Sequence, residues 1–127
     1  MEYSDSLKKN NEFQRVYRKG TSQANRYLVM YVLENHDRHM ENRLGISVSK
    51  KVGNSVVRHR VTRLIRESYR LNERSFRQGL DIVVVARPNA KDKSYQEIES
   101  ALMHLAGRMK IRREAELHVC LLYTSPS

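Results

Sequence analysis

Basic residues are concentrated in one short segment of the chain, between positions 50 and 77. Nine lysines and arginines fall in these 28 residues, and only Glu67 and Glu73 oppose them. The nine are Lys50, Lys51, Arg58, Arg60, Arg63, Arg66, Arg70, Arg74 and Arg77. Arginine carries a planar fork of N–H donors that suits phosphate oxygens. A solvated helix face normally mixes both charge signs, so this excess predicts contact with the backbone of a nucleic acid.

Helical spacing separates these arginines from an apolar stripe. Asn54 is a good N-cap, and the helix that it begins is predicted to end at about Leu71 or Asn72. At 100° per residue, one side carries what we call the arginine face: His59, Arg63, Arg66 and Arg70. The opposite side carries Val57, Val61, Leu64 and Ile65. We expect the apolar side to pack on a sheet, while Lys50 and Lys51 add charge near the positive end of the helix dipole.

The composition of the whole chain limits the class of protein. It has 127 residues, with 24 lysines and arginines against 14 acidic residues and a net charge of +10. The single cysteine, Cys120, excludes an internal disulfide framework and a cysteine zinc cluster. No apolar run approaches the roughly 20 residues of a membrane span, and residues 1–12 lack an apolar signal core. We therefore expect a basic, cytoplasmic domain without a membrane partner.

Sequence patterns predict the remaining elements. In chain order they are a helix capped by Asn11 that runs to about Lys19 and is followed by Gly20, a polar connection over 21–25, a strand over 26–33, a hairpin loop over 34–42, strands over 43–49 and 81–87, a helix from Ser94 and a short strand near Ile111. This order favours an α+β fold, an α/β sandwich with one mixed sheet. One domain is predicted over 1–118. Residues 119–127, which carry no charge, are expected to be a non-native or disordered tail, with a C-terminal strand as the alternative.

Two of these strands have distinct patterns. In the strand over 43–49, apolar residues alternate with a small and polar face made of Gly45, Ser47 and Ser49. The strand over 81–87 has a continuous apolar run, which predicts a strand covered on both faces. In the last helix, Ser94 and Glu97 have the spacing of a capping box.

The segment KKVGNSVVRHRVTRLIRE, from Lys50 to Glu67, closely resembles the signature of the bacterial ribonuclease P protein subunit. The resemblance extends upstream through 7–10, Phe13, Gly20 and 25–26, and downstream through 81–87 and the last helix, covering about residues 5–113. His59 stands where the family has asparagine, and Thr62 where a basic residue is common. A histidine can still donate to RNA, but it lacks the two-sided hydrogen bonding of an amide.

The resemblance implies a fold, a function and partners. The fold is a mixed four-stranded sheet with helices and a left-handed βαβ crossover, similar to a domain of ribosomal proteins. The catalyst of the family is an RNA, and the protein assists removal of the 5′ leader from precursor tRNA, with no catalytic residue of its own. The implied partners are the ribonuclease P RNA and precursor tRNA, without an obligate protein partner. Mg²⁺ is expected to be held mainly by the RNA, and no cofactor is expected for the protein alone.

Two sets of site residues follow from this resemblance together with the charge pattern. The residues expected to bind RNA are Lys50, Lys51, Asn54, Arg58, His59, Arg60, Arg63, Arg66 and Arg70. The residues expected to form the leader-binding cleft are Phe13, Tyr17, Tyr31, Ser47 and Ser49. Aromatic rings in a basic groove hold single-stranded nucleic acid by base stacking, although the same rings without the family match would favour a core role.

Two other functions are open to a basic chain of this kind. One is a general RNA-binding or ribosome-binding protein without a processing role. The other is a protein nuclease that uses a pair of its five histidines for acid–base catalysis. The second has little support, because the sequence has no paired carboxylates, phosphate-binding glycine loop or metal-ligand spacing.

Overall fold

The computed structural model describes residues 4–7, 9–35 and 41–112. The tail over 119–127 lies outside these ranges. The strands are β1 (Ser4–Ser6), β2 (Thr21–Ala24), β3 (Leu28–Glu34), β4 (Asn42–Ser47) and β5 (Leu80–Ala86). The helices are α1 (Asn10–Lys19), α2 (Ser55–Asn72) and α3 (Tyr95–Arg108). The α+β class predicted from the sequence is confirmed, with a mixed sheet of β2 to β5 that the three-residue β1 extends at one edge.

The strand order in the sheet is β1-β4-β5-β3-β2. β4 pairs in parallel with both β1 and β5, whereas β3 pairs antiparallel with β5 and β2. Because α2 joins the parallel neighbours β4 and β5, the predicted βαβ crossover is present; its left-handed sense stays a prediction. β5 is the central strand, and its residues Ile82 to Val84 are fully buried, as its continuous apolar run predicts.

Helices cover both faces of the sheet. On one face, α2 and α3 bury Val61, Ile65, Ile98 and Leu102 against the larger core. On the other face, α1 buries Val16 against Val83 in a smaller cluster. Burying apolar area contributes about 25 cal/mol per Å², so the larger cluster supplies most of the stabilising free energy.

The structure corrects several local predictions. The segment over 21–25 contains β2, whose four residues are all exposed and so give no apolar alternation. The loop over 34–42 is not a hairpin, because β5 lies between β3 and β4. The expected strand near Ile111 reduces to one bridge between Phe76 and Arg112. α1 begins at Asn10 rather than after Asn11, since the Glu12 carboxylate accepts a hydrogen bond from the Lys9 amide at 3.1 Å.

Candidate RNA-binding surfaces

The turn before α2 joins two exposed lysines to the start of the helix. The Asn54 side chain accepts a hydrogen bond from the Val57 amide at 3.0 Å, which confirms the predicted N-cap. Lys50 and Lys51 are exposed just before this cap. The free amides of the first helical turn carry partial positive charge, so they add to the lysines in attracting anions.

The arginine face has the orientation predicted from helical spacing. All four of its residues are exposed, while Val61 and Ile65 on the opposite side are fully buried. Arg70 forms a surface ion pair with Glu67, and their hydrogen bond raises the pKa of Arg70 and lowers the pKa of Glu67. Three members of the face, His59, Arg63 and Arg66, make no contact with an acceptor in the described part of the chain.

Arg58 and Arg60 lie beside the arginine face and differ from its members. Arg60 donates to the carbonyl oxygens of Lys91 and Lys93, at 3.3 and 2.8 Å, and so leans on the loop before α3. Arg58 is partly buried, and its Nε is shielded from solvent without a hydrogen-bond partner among the described residues. Thr62 donates to the Arg58 carbonyl at 2.8 Å, within the helix itself.

Three partly exposed aromatic rings meet between α1 and the sheet. Tyr17 lies between the other two, 6.4 Å from Phe13 and 4.8 Å from Tyr31 between ring centroids, in an edge-to-face arrangement with Tyr31. Burial raises the pKa of Tyr17, and hydrogen bonding to Ser47 lowers this pKa by less. We call Phe13, Tyr17 and Tyr31 the aromatic cleft. Ser49 lies beyond the end of β4, where its hydroxyl accepts a bond from the Lys51 amide at 3.3 Å.

A glycine of β4 makes room for one of these rings. A Cβ atom on Gly45 would lie 2.8 Å from Cε1 and Cζ of Phe13, so the ring packs directly on the strand backbone. Sequence analysis identified the small face of β4 but not this contact. This contact sets how closely α1 packs on the sheet.

A buried charge network ties α1 to the two central strands and was not predicted. Arg43 on β4 donates to both carboxylate oxygens of Asp81 on β5, at 3.0 and 2.7 Å, and also pairs with Glu12 on α1. The side-chain amide of Asn35 donates a hydrogen bond to the Asp81 carboxylate at 3.0 Å. Hydrogen bonding to Asp81 raises the pKa of Arg43. Charged residues at strand ends usually face solvent, so the sequence carried no signal for this network.

Comparisons with known proteins place this arrangement in a family. Residues 1–110 match the family model for ribonuclease P. This chain belongs to the ribonuclease P protein family. It is 62% identical over 113 residues to the ribonuclease P protein component of Lachnoclostridium phytofermentans, covering 89% of this chain and 96% of that one. It is 54% identical to the same component of Alkaliphilus metalliredigens, covering 87% and 98%.

Solved ribonuclease P proteins share the fold. The Staphylococcus aureus RNase P protein matches with a TM-score of 0.77 and 42% identity, over 85% of this chain and 97% of that one. The Thermotoga maritima protein matches with a TM-score of 0.74 and 28% identity, over 82% and 96%. The resemblance identified from the Lys50–Glu67 segment is therefore confirmed. The chain is a subunit of the ribonuclease P holoenzyme, which processes tRNA, and its partner is the ribonuclease P RNA.

Two further observations concern metal and membrane. Within 4–7, 9–35 and 41–112, no three side chains of His, Cys, Asp or Glu are grouped so that they could hold a metal ion. None of the helices in these ranges is long and apolar enough to cross a membrane. Of the five histidines, His59 lies on α2 and His104 on α3, while His36, His39 and His118 fall outside the described residues.

Proposed function

We propose that this ribonuclease P protein holds the catalytic RNA and the 5′ leader of precursor tRNA on two different surfaces. The arginine face, with Lys50, Lys51, Asn54, Arg58 and Arg60 around it, binds the ribonuclease P RNA. The aromatic cleft, with Ser47 and Ser49 beside it, binds the single-stranded leader. Cleavage itself is RNA-catalysed, in the cytoplasm, and the protein contributes by holding both RNAs.

The observation that carries this proposal is the meeting of three partly exposed rings across two elements that are far apart in sequence. Phe13 and Tyr17 come from α1 and Tyr31 from β3, yet they form one contiguous aromatic surface. A ring that served only the core would be covered on all sides. Exposed rings offer a stacking face to unpaired bases, at about 1–3 kcal/mol for each base.

The leader contact is tested with one substitution and two ligands. Phe13→Ala removes a ring from the cleft, so the holoenzyme should bind precursor tRNA about 5- to 150-fold more weakly, which is the range that base stacking supplies. Mature tRNA has no leader, and its affinity should not change. Equal losses for the two ligands would contradict the cleft assignment. The unfolding midpoint of the variant should be measured alongside, because Phe13 also packs on Gly45.

The RNA contact is tested by reversing charge on the arginine face. Arg63→Glu together with Arg66→Glu should abolish assembly with the ribonuclease P RNA, because both exposed side chains then repel phosphate. The circular dichroism spectrum should stay that of the parent, since neither residue packs in the core. An unchanged affinity for the RNA with a normal spectrum would refute the assignment.

We propose that Mg²⁺ is a cofactor of the RNA–protein holoenzyme and not of the protein alone. A divalent ion stabilises the charge that develops at the scissile phosphate, and we propose that the RNA holds it. One domain over 1–118 is proposed to carry both surfaces. A cleavage assay of precursor tRNA with ribonuclease P RNA at low Mg²⁺, with and without the protein, tests this function. Strong stimulation by the protein would support it, whereas tight RNA binding without stimulation would favour the general RNA-binding alternative.

A further inference from the structure

A tightly bonded turn joins β2 to β3 and contacts α3. The Asn25 Oδ1 accepts hydrogen bonds from the amides of Tyr27 and Leu28, at 3.2 and 3.0 Å. Its amide nitrogen donates to the Ala101 carbonyl at 2.9 Å and lies 3.2 Å from His104 Nδ1. One side chain therefore fixes the turn against the helix, and the groups around it are preorganised.

An open surface depression of about 400 Å³, which we call the cavity, lies between this turn and α3. Its wall includes Arg26, Tyr27, Gln96, Ser100 and His104, together with one carboxylate, that of Glu97. The cavity combines an aromatic ring and the buried Ala101 methyl group with exposed hydrogen-bonding side chains.

The orientation of His104 is set by Asn25. Because Asn25 Oδ1 is occupied by two backbone amides, its Nδ2 is the donor toward His104 Nδ1. His104 Nδ1 is therefore engaged by Asn25, and Nε2 is the ring nitrogen left for hydrogen bonding at the cavity. Gln96 and Ser100 can both donate and accept there.

Four cationic side chains lie at the cavity or on residues next to it. Arg87 donates to the Asn25 carbonyl at 2.9 Å, Arg108 lies 3.5 Å from the Ala24 carbonyl, and the Lys93 ammonium lies 5.2 Å from the centroid of the Tyr27 ring. Arg26, Arg87 and Arg108 form no ion pair with a carboxylate in the part of the chain that the structure describes, whereas Lys93 interacts electrostatically with Glu97. Positive charge thus borders an aromatic, hydrogen-bonding cavity.

This basic region is connected to the arginine face. Arg60 reaches from α2 to the carbonyls of Lys91 and Lys93, and Lys93 in turn lies over Tyr27. A polynucleotide bound along α2 therefore meets further cations beyond Arg60, and it also passes Asp92 and the Glu97 carboxylate that caps α3.

We propose that the cavity between the β2–β3 turn and α3 is a second RNA site, which takes one unpaired nucleotide. The base would occupy the cavity beside Tyr27, with hydrogen bonds from His104, Gln96 or Ser100, and its phosphates would face Arg26 and Arg108. Unpaired bases held against aromatic rings and basic side chains are the usual mode of RNA recognition outside duplexes. The site rests on the RNA-binding function proposed above, but not on the arginine face or the aromatic cleft being assigned correctly.

Charge-matched variants of the full chain in the holoenzyme test this site. Ser100→Glu places a carboxylate in the wall of the cavity, and Gln78→Glu makes the same charge change at an exposed residue just before β5 that does not line the cavity. Affinity should be measured separately for the ribonuclease P RNA and for precursor tRNA. Ser100→Glu should weaken one of them by roughly 5- to 150-fold, as loss of a stacked nucleotide would. Gln78→Glu should change both by less than about twofold.

The salt dependence of binding and crosslinking identify the source of the nucleotide. Arg26→Gln should lower the slope of log affinity against log salt by about 0.7–0.9, the release expected for one phosphate contact, and only for the RNA that occupies the cavity. A photoreactive group on Ser100→Cys, in a Cys120→Ser background, should crosslink to an unpaired nucleotide of that RNA. The same group on Gln78→Cys should not.

The proposal is overturned if Ser100→Glu behaves like Gln78→Glu with both RNAs, or if no crosslink specific to position 100 forms. It is also overturned if crosslinks form only to protein, because the cavity would then be a protein-binding surface. Failure here is distinct from failure of the proposed function, since the Arg63→Glu and Arg66→Glu variant tests the arginine face independently.

Discussion

Replacing Arg43 by methionine should destabilise the protein more than any other single charge removal considered above. The guanidinium is only 10% exposed, and Asp81 beneath it is 1% exposed. Arg43→Met leaves the buried Asp81 carboxylate with the Asn35 amide but without its two charged hydrogen bonds, and it removes the link to Glu12. Breaking a buried ion pair by removing one partner costs about 3–5 kcal/mol. Since small domains unfold with about 5–15 kcal/mol, this is a large fraction of the total.

Urea denaturation followed by circular dichroism measures this loss. With a slope near 2 kcal/mol/M, a loss of about 4 kcal/mol lowers the midpoint by roughly 2 M. Arg70→Met is the matched control, because it breaks an ion pair whose side chains are 48% and 46% exposed, and we expect little change. If Arg43→Met leaves too little folded protein, Arg43→Lys keeps the charge and part of the bonding, and should give a measurable intermediate loss.

A double substitution separates burial of charge from loss of packing. Arg43→Met combined with Asp81→Asn removes the orphaned negative charge, so its cost should be smaller than the sum of the two single costs by about 0.5–3 kcal/mol. Additive costs, or a loss for Arg43→Met no larger than that for Arg70→Met, would refute the reasoning that the network is a buried and mutually dependent group of charges.

Two further expectations concern the contacts around α1 and α3. Gly45→Ala should lower the free energy of unfolding by about 1–3 kcal/mol, because its Cβ would overlap Phe13, and the loss should shrink in a Phe13→Ala background; an equal loss in both backgrounds would contradict this contact. The Glu97 carboxylate accepts bonds from the amide and hydroxyl of Ser94, which lower its pKa below the ordinary value of 4.5, so its stabilisation of α3 is present above that value and is lost as pH falls through the lowered pKa. The Ser94 amide, which donates to this carboxylate, should therefore lose protection against hydrogen exchange in acid, measured relative to its intrinsic rate at each pH, and Glu97→Gln should remove that pH dependence.

The two long amphipathic helices were predictable because local signals agree with tertiary packing. Asn54 caps α2 as expected, and Ser94 with Glu97 caps α3. The exposure of His59, Arg63 and Arg66 also followed directly from helical spacing, since a helix that packs one side must expose the other. For these elements, the residues within one or two turns determine the outcome.

The strand order and the charge network were not predictable for a different reason. Nothing in the loop over 34–42 indicates that β5 comes between β3 and β4, because pairing depends on a strand about 40 residues further along. β2 has only exposed side chains, so it lacks the alternation that identifies a strand. The clustering of Arg43, Glu12 and Asp81 likewise depends on three separate elements. The residues next to each of these three in the sequence do not indicate which charged side chains will pair.

The central position of β5 has a consequence for the order of assembly during synthesis. β3 and β4 are complete by residue 47, but in the described sheet they are joined only through β5, which ends at residue 86. A nascent chain that stops before Leu80 therefore holds two strands without their common neighbour, and its most basic segment is already made. Contacts this distant in sequence form late and slowly. The sheet can form only when about two thirds of the chain has been synthesised, so the basic segment is made before the sheet that positions it exists.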